Sequence, residues 1–219
     1  MGIARTIAAQ LRRPRGWLGR LTGLYMTRNN ARVNAWTVSL LAVSPEDHVL
    51  EVGFGSGAAI GQVARRLSGG KVCGIDYSET MVRLALKRNA AAVREGRVEI
   101  HHGDISALPY EDDSFDKAYA IHSIYFWPDP LAALGEMRRV LKPGGLAAIS
   151  ILSRDDMLKM GPRLPDFILY SGKELVDLFE HAGFIDVRLE EYPDKPGLCV
   201  IGLNEPGTSN RFTVRENER

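Results

Sequence analysis

Short apolar runs alternate along the chain with stretches in which apolar residues recur every three or four positions. Such runs are typical of buried strands, and the wider spacing is typical of amphipathic helices. Five runs predict the first five strands, at residues 48–52, 71–75, 97–101, 117–121 and 146–152. Strands that alternate with helices in this way predict a parallel sheet with helices on both faces.

Polar residues mark where the intervening helices begin. Ser78 and Asp129 are suited to N-caps, and Pro130 suits the first helical position. Ser171 and Glu174 have the spacing of a capping box. The predicted helices cover about residues 57–67, 78–95, 129–142 and 171–183, and one more runs from Asn29 or Asn30 to residue 43.

The last two strands are expected near residues 185–192 and 197–203, with only a tight turn between them. They must be antiparallel to each other, because a parallel pair needs a crossover. The prediction is a single α/β domain with a doubly wound, Rossmann-like sheet. Residues 1–46 are expected to form an N-terminal helical cap, residues 47–204 the Rossmann-like core, and residues 205–219 a polar tail.

Composition narrows the classes of function. The chain has 219 residues and balances 28 Lys and Arg against 27 Asp and Glu, which does not favour broad nucleic-acid binding. Two cysteines are too few for a disulfide framework, and no apolar run is long enough to span a bilayer. We therefore expect a soluble, cytoplasmic protein, either a monomer or a homodimer.

Charge is distributed unevenly along the chain. No acidic residue precedes Glu46, whereas the same stretch holds seven arginines. The simplest interpretation is a solvated helical cap. The alternative is contact with an anionic ligand or membrane surface.

A glycine-rich turn follows the first strand, and carboxylates follow the next two. The turn contains Gly53, Gly55 and Gly57, which let the backbone approach a ligand closely. Asp76 ends the second strand. Its spacing in the sequence from the glycine-rich turn is suited to a carboxylate that accepts hydrogen bonds from ribose hydroxyls. Asp104 ends the third strand, where it could accept a hydrogen bond from an exocyclic amine. Parallel strands end at one edge of a sheet, so these groups predict a nucleotide-type cofactor site.

Four segments in this order resemble class I S-adenosylmethionine-dependent methyltransferases. They are residues 49–57, 74–78, 103–109 and 136–145, and the similarity extends over about residues 32–203. The chain is most similar to small bacterial enzymes related to the ubiquinone/menaquinone C-methyltransferases. The resemblance implies S-adenosyl-L-methionine as cofactor and seven strands with the last one antiparallel.

The resemblance also implies roles for individual residues. It places Glu51 near the methionine part, the three glycines against the methionine part and ribose, and Asp76 on the ribose hydroxyls. Asp104 and Ile105 would recognise adenine. Tyr77 and Met81, which follow Asp76, are suited to pack on the purine face. The predicted cofactor-binding residues are Glu51, Gly53, Gly55, Gly57, Asp76, Tyr77, Met81, Asp104 and Ile105.

His122 directly follows the fourth predicted strand and, by the resemblance, would lie beside the sulfonium. Its ordinary pKa of about 6.5 makes it the best candidate for a general base, although the simpler interpretation is a pocket-lining or hydrogen-bonded core histidine. Tyr125 is a candidate for orienting the nucleophile, with ordinary packing as the alternative. The segment 122–126 lacks the Asn/Asp-Pro-Pro-Tyr/Phe pattern of amino-group DNA methyltransferases, which argues against a nucleobase amine as substrate.

Two segments outside the predicted sheet are rich in aromatic residues and methionine, namely the chain up to Trp36 and residues 155–170. We expect them to close over the strand ends and form a mainly apolar pocket, although both segments are also suited merely to cap the sheet. The predicted substrate contacts are Tyr25, Trp36, Phe126 and Tyr170.

The predicted function is methyl transfer to a small, partly apolar or aromatic molecule, without a metal. A nicotinamide-dependent oxidoreductase is the first alternative, but the chain lacks a separate catalytic domain and a Tyr-x-x-x-Lys pair. The second is a cofactor-binding regulatory protein of the same fold without turnover.

Overall fold

The computed structural model describes residues 30–160, 167–193 and 196–205, together with Gly16. Tyr25, the arginine-rich segment before residue 30 apart from Gly16, and residues 206–219 lie outside the described residues.

A seven-stranded mixed sheet forms the centre of the molecule, in the order β3-β2-β1-β4-β5-β7-β6. The strands from β1 to β5 pair in parallel, whereas β7 runs antiparallel to both of its neighbours, β5 and β6. The predicted Rossmann-like class and the antiparallel final pair are confirmed. The strands are β1 His48–Val52, β2 Lys71–Asp76, β3 Val98–His102, β4 Phe115–Ile121, β5 Leu141–Ile151, β6 Phe184–Glu191 and β7 Leu198–Asn204.

Helices cover both faces of the sheet. Three predicted N-caps are present: Ser78 accepts from the Met81 N–H, Asp129 accepts from the Ala132 N–H, and Ser171 forms its capping box with Glu174. In the described ranges the helices are α1 at residues 30–40, α2 Ala58–Ala64, α3 Glu79–Arg88, α4 Ala90–Arg94, α5 Pro130–Val140, α6 Arg154–Met160 and α7 Gly172–His181.

The single helix expected over residues 78–95 is divided at Asn89 into α3 and α4. The Asn89 side-chain amide donates to the carbonyls of Gly57 and Ala85, each at 3.0 Å. This bond to the turn before α2 holds Asn89 at φ −102°, ψ 18°, outside the helical region. A long-range hydrogen bond therefore overrides the local helical pattern.

Two apolar clusters lie on opposite faces of the sheet. One is built around α5 and α7, with Leu134, Met137 and Phe179 fully buried. The other is built around α1, α2 and α3, and includes Val38 and Ile60. Helix α1 is also attached to strand β5 by a buried 2.6 Å hydrogen bond between the hydroxyls of Thr37 and Ser150.

The strand order reverses direction between β1 and β4. In an open sheet of this type, ligands bind beyond the carboxyl ends of the strands at this switch point. The glycine-rich turn and the segment after β4 therefore face the same cleft. No helix among the described residues is long and apolar enough to cross a membrane.

Candidate active site

The turn after β1 has a backbone that favours glycine. Gly53, Gly55 and Gly57 have φ values of 72°, 54° and 71°, all in the left-handed region. The Gly53 N–H donates to the Ile75 carbonyl at 2.8 Å, which attaches the turn to the end of β2.

The three glycines meet different surroundings. A Cβ on Gly53 would lie 2.4 Å from the Ser123 Cβ, and one on Gly57 would lie 2.7 Å from the Ala85 Cβ. A Cβ on Gly55 would meet nothing within 4 Å. Gly53 and Gly55 line the cleft, whereas Gly57 does not and instead permits close packing against α3.

Asp76 lies at the end of β2 and lines the cleft. Its carboxylate accepts from the N–H groups of Gly55 at 2.9 Å and Ser78 at 2.8 Å. Burial raises the pKa of Asp76 to about 6, although both backbone donors favour its charged form. Each oxygen accepts one of these bonds and has a further lone pair for a ligand.

The wall beyond Asp76 combines aromatic, apolar and acidic groups. Tyr77 is half exposed, and its ring stacks near that of His102 with centroids 6.3 Å apart. Met81 and Ile105 are buried, and Asp104 accepts from the Ser106 N–H at 3.0 Å. Tyr77, Met81, Asp104 and Ile105 line one continuous cleft with Gly55.

His122 and Ser123 form the opposite wall, directly after β4. His122 has a left-handed φ of 56°, and its N–H donates to the Ser150 carbonyl at 2.9 Å. Burial lowers the pKa of His122 to about 4, so its imidazole is neutral at pH 7. The Ser123 hydroxyl donates to the Val52 carbonyl at 3.0 Å and so joins this wall to the end of β1.

Tyr125 lies beneath His122 and does not line the cleft. Its hydroxyl accepts from the Leu152 N–H at 2.6 Å and donates to the Leu152 carbonyl at 3.1 Å. The same oxygen is 3.4 Å from Nδ1 of His122. Tyr125 therefore contacts the predicted base rather than the space where a substrate would bind.

Glu51 does not line the main cleft. Its side chain is buried, and it accepts a 2.7 Å hydrogen bond from the Tyr119 hydroxyl. Burial raises the pKa of Glu51 to about 8. Glu51 lines a small second pocket that shares Gly53, Gly55 and Ile121 with the cleft.

The part of the cleft beyond His122 is apolar. It is lined by Phe126, the last residue of a short 3-10 turn at Ile124–Phe126, and by Trp127 and Pro128. The Phe167 ring packs edge-on against Phe126 with centroids 4.7 Å apart, and the Ile168 N–H donates to the Tyr125 carbonyl at 3.0 Å. The end of the segment 155–170 thus lies against the residues that follow β4.

Two predicted substrate contacts lie elsewhere in the described part of the chain. Trp36 packs edge-on against Tyr192, with ring centroids 5.1 Å apart. Tyr170 lies in a separate surface groove with Arg154 and Glu174. Neither side chain lines the cleft, because the position of an aromatic residue outside the sheet depends on how its segment folds back.

Several residues of the site were missed from the sequence. Ser123, Trp127 and Pro128 line the cleft, Asn30 and Asn34 line the second pocket, and Tyr119 contacts Glu51. For Ser123 and Trp127, the available signal in the sequence was that both closely follow the end of the fourth predicted strand. The described residues contain no group of three or more His, Cys, Asp or Glu side chains arranged to hold a metal ion.

The strand order and the glycine-rich turn with a carboxylate at the next strand end define a class I methyltransferase fold. A family model described as a methyltransferase domain matches residues 50–149. The chain is 31% identical over 189 residues to the uncharacterized methyltransferase YdaC of Bacillus subtilis, covering 86% of this chain and 99% of that protein. The chain therefore belongs to the S-adenosylmethionine-dependent methyltransferases, and S-adenosyl-L-methionine is its cofactor.

Two further similarities agree with this assignment. Demethylmenaquinone methyltransferase of Staphylococcus aureus is 31% identical over 163 residues, which cover 62% of this chain and 66% of that protein. A solved S-adenosylmethionine-dependent methyltransferase from Aquifex aeolicus matches the fold with a TM-score of 0.65. It is 24% identical, over 78% of this chain and 89% of that one. The predicted relationship to quinone methyltransferases is confirmed.

The different surroundings of Gly55 and Gly57 predict different effects of the same substitution. Gly55→Val and Gly57→Val share a left-handed backbone strain of about 1–2 kcal/mol. Gly55→Val should fold but lose S-adenosylhomocysteine binding, because its side chain projects into open space beside the cleft. Gly57→Val should lose far more thermal stability, because it also collides with α3. Calorimetric titration and melting curves test both, and normal ligand binding by Gly55→Val would contradict this account.

The raised pKa of Glu51 predicts a pH-dependent stability. An unfolded glutamate has a pKa of about 4.3, so between pH 4.3 and about 8 the folded chain holds a proton that the unfolded chain releases. This contribution to stability therefore falls as pH rises through that window. As pH rises through this window, the free energy of unfolding of Glu51→Gln should increase relative to that of the parent protein by about 1 kcal/mol per pH unit. Urea unfolding at pH 5 and pH 8 measures the difference, and parallel pH profiles would show an ordinary pKa.

Proposed function

We propose that this methyltransferase transfers the methyl group of S-adenosylmethionine to a small, partly apolar or aromatic molecule. The observation that carries the proposal is the pairing of neutral His122 with an apolar wall of Phe126, Trp127 and Pro128 in the same cleft. Such a wall suits burial of an apolar ring, whereas a macromolecular substrate would need a wider or more charged surface.

The residues of the cleft fit the parts of the cofactor. Asp76 is the partner for the ribose hydroxyls, because it has acceptor capacity beyond its two backbone hydrogen bonds. Asp104 and Ile105, with Tyr77 and Met81, lie on the wall proposed to recognise adenine. The methionine part is assigned to the side of Gly53 and Glu51, where the cleft and the second pocket share residues.

When bound, the cofactor supplies a methyl group on a sulfonium, a leaving group that needs no activation. The protein then has to align the acceptor and exclude water. Ser123 holds the wall after β4 against the end of β1, which fixes the distance between the two halves of the cleft. His122 is neutral at pH 7 and is the group proposed to accept a proton from an acceptor that binds protonated.

Tyr125 is proposed to act through His122. Its phenol proton is engaged by the Leu152 carbonyl, so the hydroxyl oxygen is left to accept from Nδ1 of His122. That arrangement would leave Nε2 of His122 as the basic nitrogen. The predicted role of Tyr125 in orienting a nucleophile is thereby redirected to orienting the base.

The two segments predicted to cover the cleft, which are the chain up to Trp36 and residues 155–170, are also part of the proposed function. Asn30 and Asn34 line the second pocket, so the start of α1 lies close to the glycine-rich turn. Phe167 and Ile168 contact the residues after β4 from the other side. Both segments are therefore proposed to enclose the acceptor. No observation favours the nicotinamide or non-catalytic alternative.

The role of Asp76 predicts a selective loss of cofactor affinity. Each hydrogen bond from a ribose hydroxyl to a carboxylate is worth about 1.5–3 kcal/mol. Asp76→Ala should weaken S-adenosylhomocysteine binding by about tenfold or more in calorimetric titrations. Asp116→Ala is the matched control, since Asp116 accepts from the His48 N–H at the opposite end of β1. Equal affinities in both variants would remove Asp76 from the cofactor site.

The proposed acceptor class is tested with cofactor labelled on its methyl group. A panel of small phenols, quinols, carboxylates, amines and thiols should include molecules that become labelled. With such an acceptor, His122→Gln should lower kcat by about 100-fold or more while S-adenosylhomocysteine affinity stays within about twofold. Binding of S-adenosylhomocysteine without transfer to any member of the panel would favour the non-catalytic alternative.

A further inference from the structure

Tyr119 and Glu51 form a buried pair between neighbouring strands. The parallel register of β1 and β4 places Glu51 directly opposite Tyr119. Tyr119 is fully buried, Glu51 is 2% exposed, and the phenol donates to Oε2 of the carboxyl at 2.7 Å. A hydrogen bond of this length between two buried groups is strong.

Among the residues that the structure describes, no cation adjoins the pair to make it an ordinary buried ion pair. The groups facing it come from four elements of the described chain. Tyr119 belongs to β4, Asp76 ends β2, the Ile60 N–H lies in the first turn of α2, and Asn30 and Asn34 lie on α1. Arg66, after α2, acts on Tyr119 only at longer range. A buried carboxyl with hydrogen-bond donors but no adjacent cation favours the protonated form.

A purely structural explanation accounts for only part of this arrangement. The Glu51 carboxyl does accept from the Ile60 N–H and so serves the first turn of α2. However, the same carboxyl lines the second pocket, next to the two glycines that also line the main cleft. A neutral glutamine would accept a hydrogen bond from the Ile60 N–H equally well. A carboxyl differs because it can ionise and bind a positively charged ligand group.

We propose that Tyr119 is a positioning residue that holds the Glu51 carboxyl toward the amino-acid part of the cofactor. We further propose that Glu51 releases a proton to solvent when the ammonium group of that part binds. The inference rests on the proposed placement of the methionine part at Glu51. In this step the carboxylic acid of Glu51 becomes a carboxylate and its proton goes to the buffer. The ammonium group of the ligand keeps its own protons.

The two ligands that test this proposal differ in one feature. S-adenosylhomocysteine carries the ammonium group, whereas 5′-methylthioadenosine has the same adenosine and thioether but no amino-acid part. Any proton exchange at Asp76 is common to both ligands and cancels in their difference. Titration calorimetry at pH 7 in phosphate and in Tris should show proton release with S-adenosylhomocysteine in excess of that with 5′-methylthioadenosine.

Tyr119→Phe keeps the buried ring and removes only the donor. The carboxylate that binds the ammonium then loses a hydrogen bond, so S-adenosylhomocysteine affinity at pH 7 should fall by about tenfold or more. The pH range over which affinity rises should also move upward, because the lost donor had favoured the charged form of Glu51. Affinity for 5′-methylthioadenosine should stay within about twofold of the parent value.

Tyr110→Phe is the matched control. Tyr110 is a tyrosine beside Phe115 whose buried hydroxyl has no hydrogen-bond partner in the described structure, and it lies outside both pockets. It should leave the affinity for both ligands unchanged. Glu51→Gln is the second test, and it should abolish the excess proton release by S-adenosylhomocysteine.

Two outcomes would overturn the proposal while leaving the methyltransferase function intact. One is equal proton release by both ligands in the parent protein. The other is an equal loss of affinity for both ligands in Tyr119→Phe, which would indicate a merely structural role. Failure of the parent protein to bind either ligand would instead contradict the cofactor site itself.

Discussion

The left-handed turn after β1 determines the geometry of the whole site, because the ends of β2 and β4 are bonded to it or to the residue that precedes it. The Gly53 N–H bonds to Ile75 at the end of β2, and the Gly55 N–H bonds to Asp76. Ser123 reaches back from the end of β4 to the Val52 carbonyl. Through the Ser150 carbonyl, His122 also connects to β5. A shift of this turn would therefore move Asp76 and the wall after β4 together.

Two carboxyls adjoin this turn, and burial disfavours the charged form of each. Burial raises the pKa of both Glu51 and Asp76, and the charge of Asp76 raises that of Glu51 further. The Gly55 N–H donates to the Asp76 carboxylate and so favours the charged form of that group. The ammonium of S-adenosylmethionine is proposed to bind at Glu51, where a positive charge would compensate the carboxylate in a site of low dielectric.

The parts of the site that were predicted from sequence are those specified by local patterns. The glycine spacing, the position of Asp76 after β2 and the cap at Ser78 each depend on a few adjacent residues. The division of a helix at Asn89 depends on a carbonyl 32 positions away, and the Tyr119 contact depends on the register between β1 and β4. Trp36 shows the same limit, since its aromatic character predicted a substrate contact whereas its partner in the structure is Tyr192.

The two halves of the cleft are built in physically different ways. The half proposed to hold the cofactor consists of strand ends and backbone N–H groups, whose positions depend on the sheet. The half proposed to hold the acceptor consists of side chains on and after the 3-10 turn, with Phe167 and Ile168 packed against them. Substitution of Phe126 or Trp127 would therefore change the shape of the acceptor wall without moving Asp76 or Gly55. A fold of this construction keeps one cofactor while the acceptor changes, which is why the family identifies the methyl donor more firmly than the molecule that receives the methyl group.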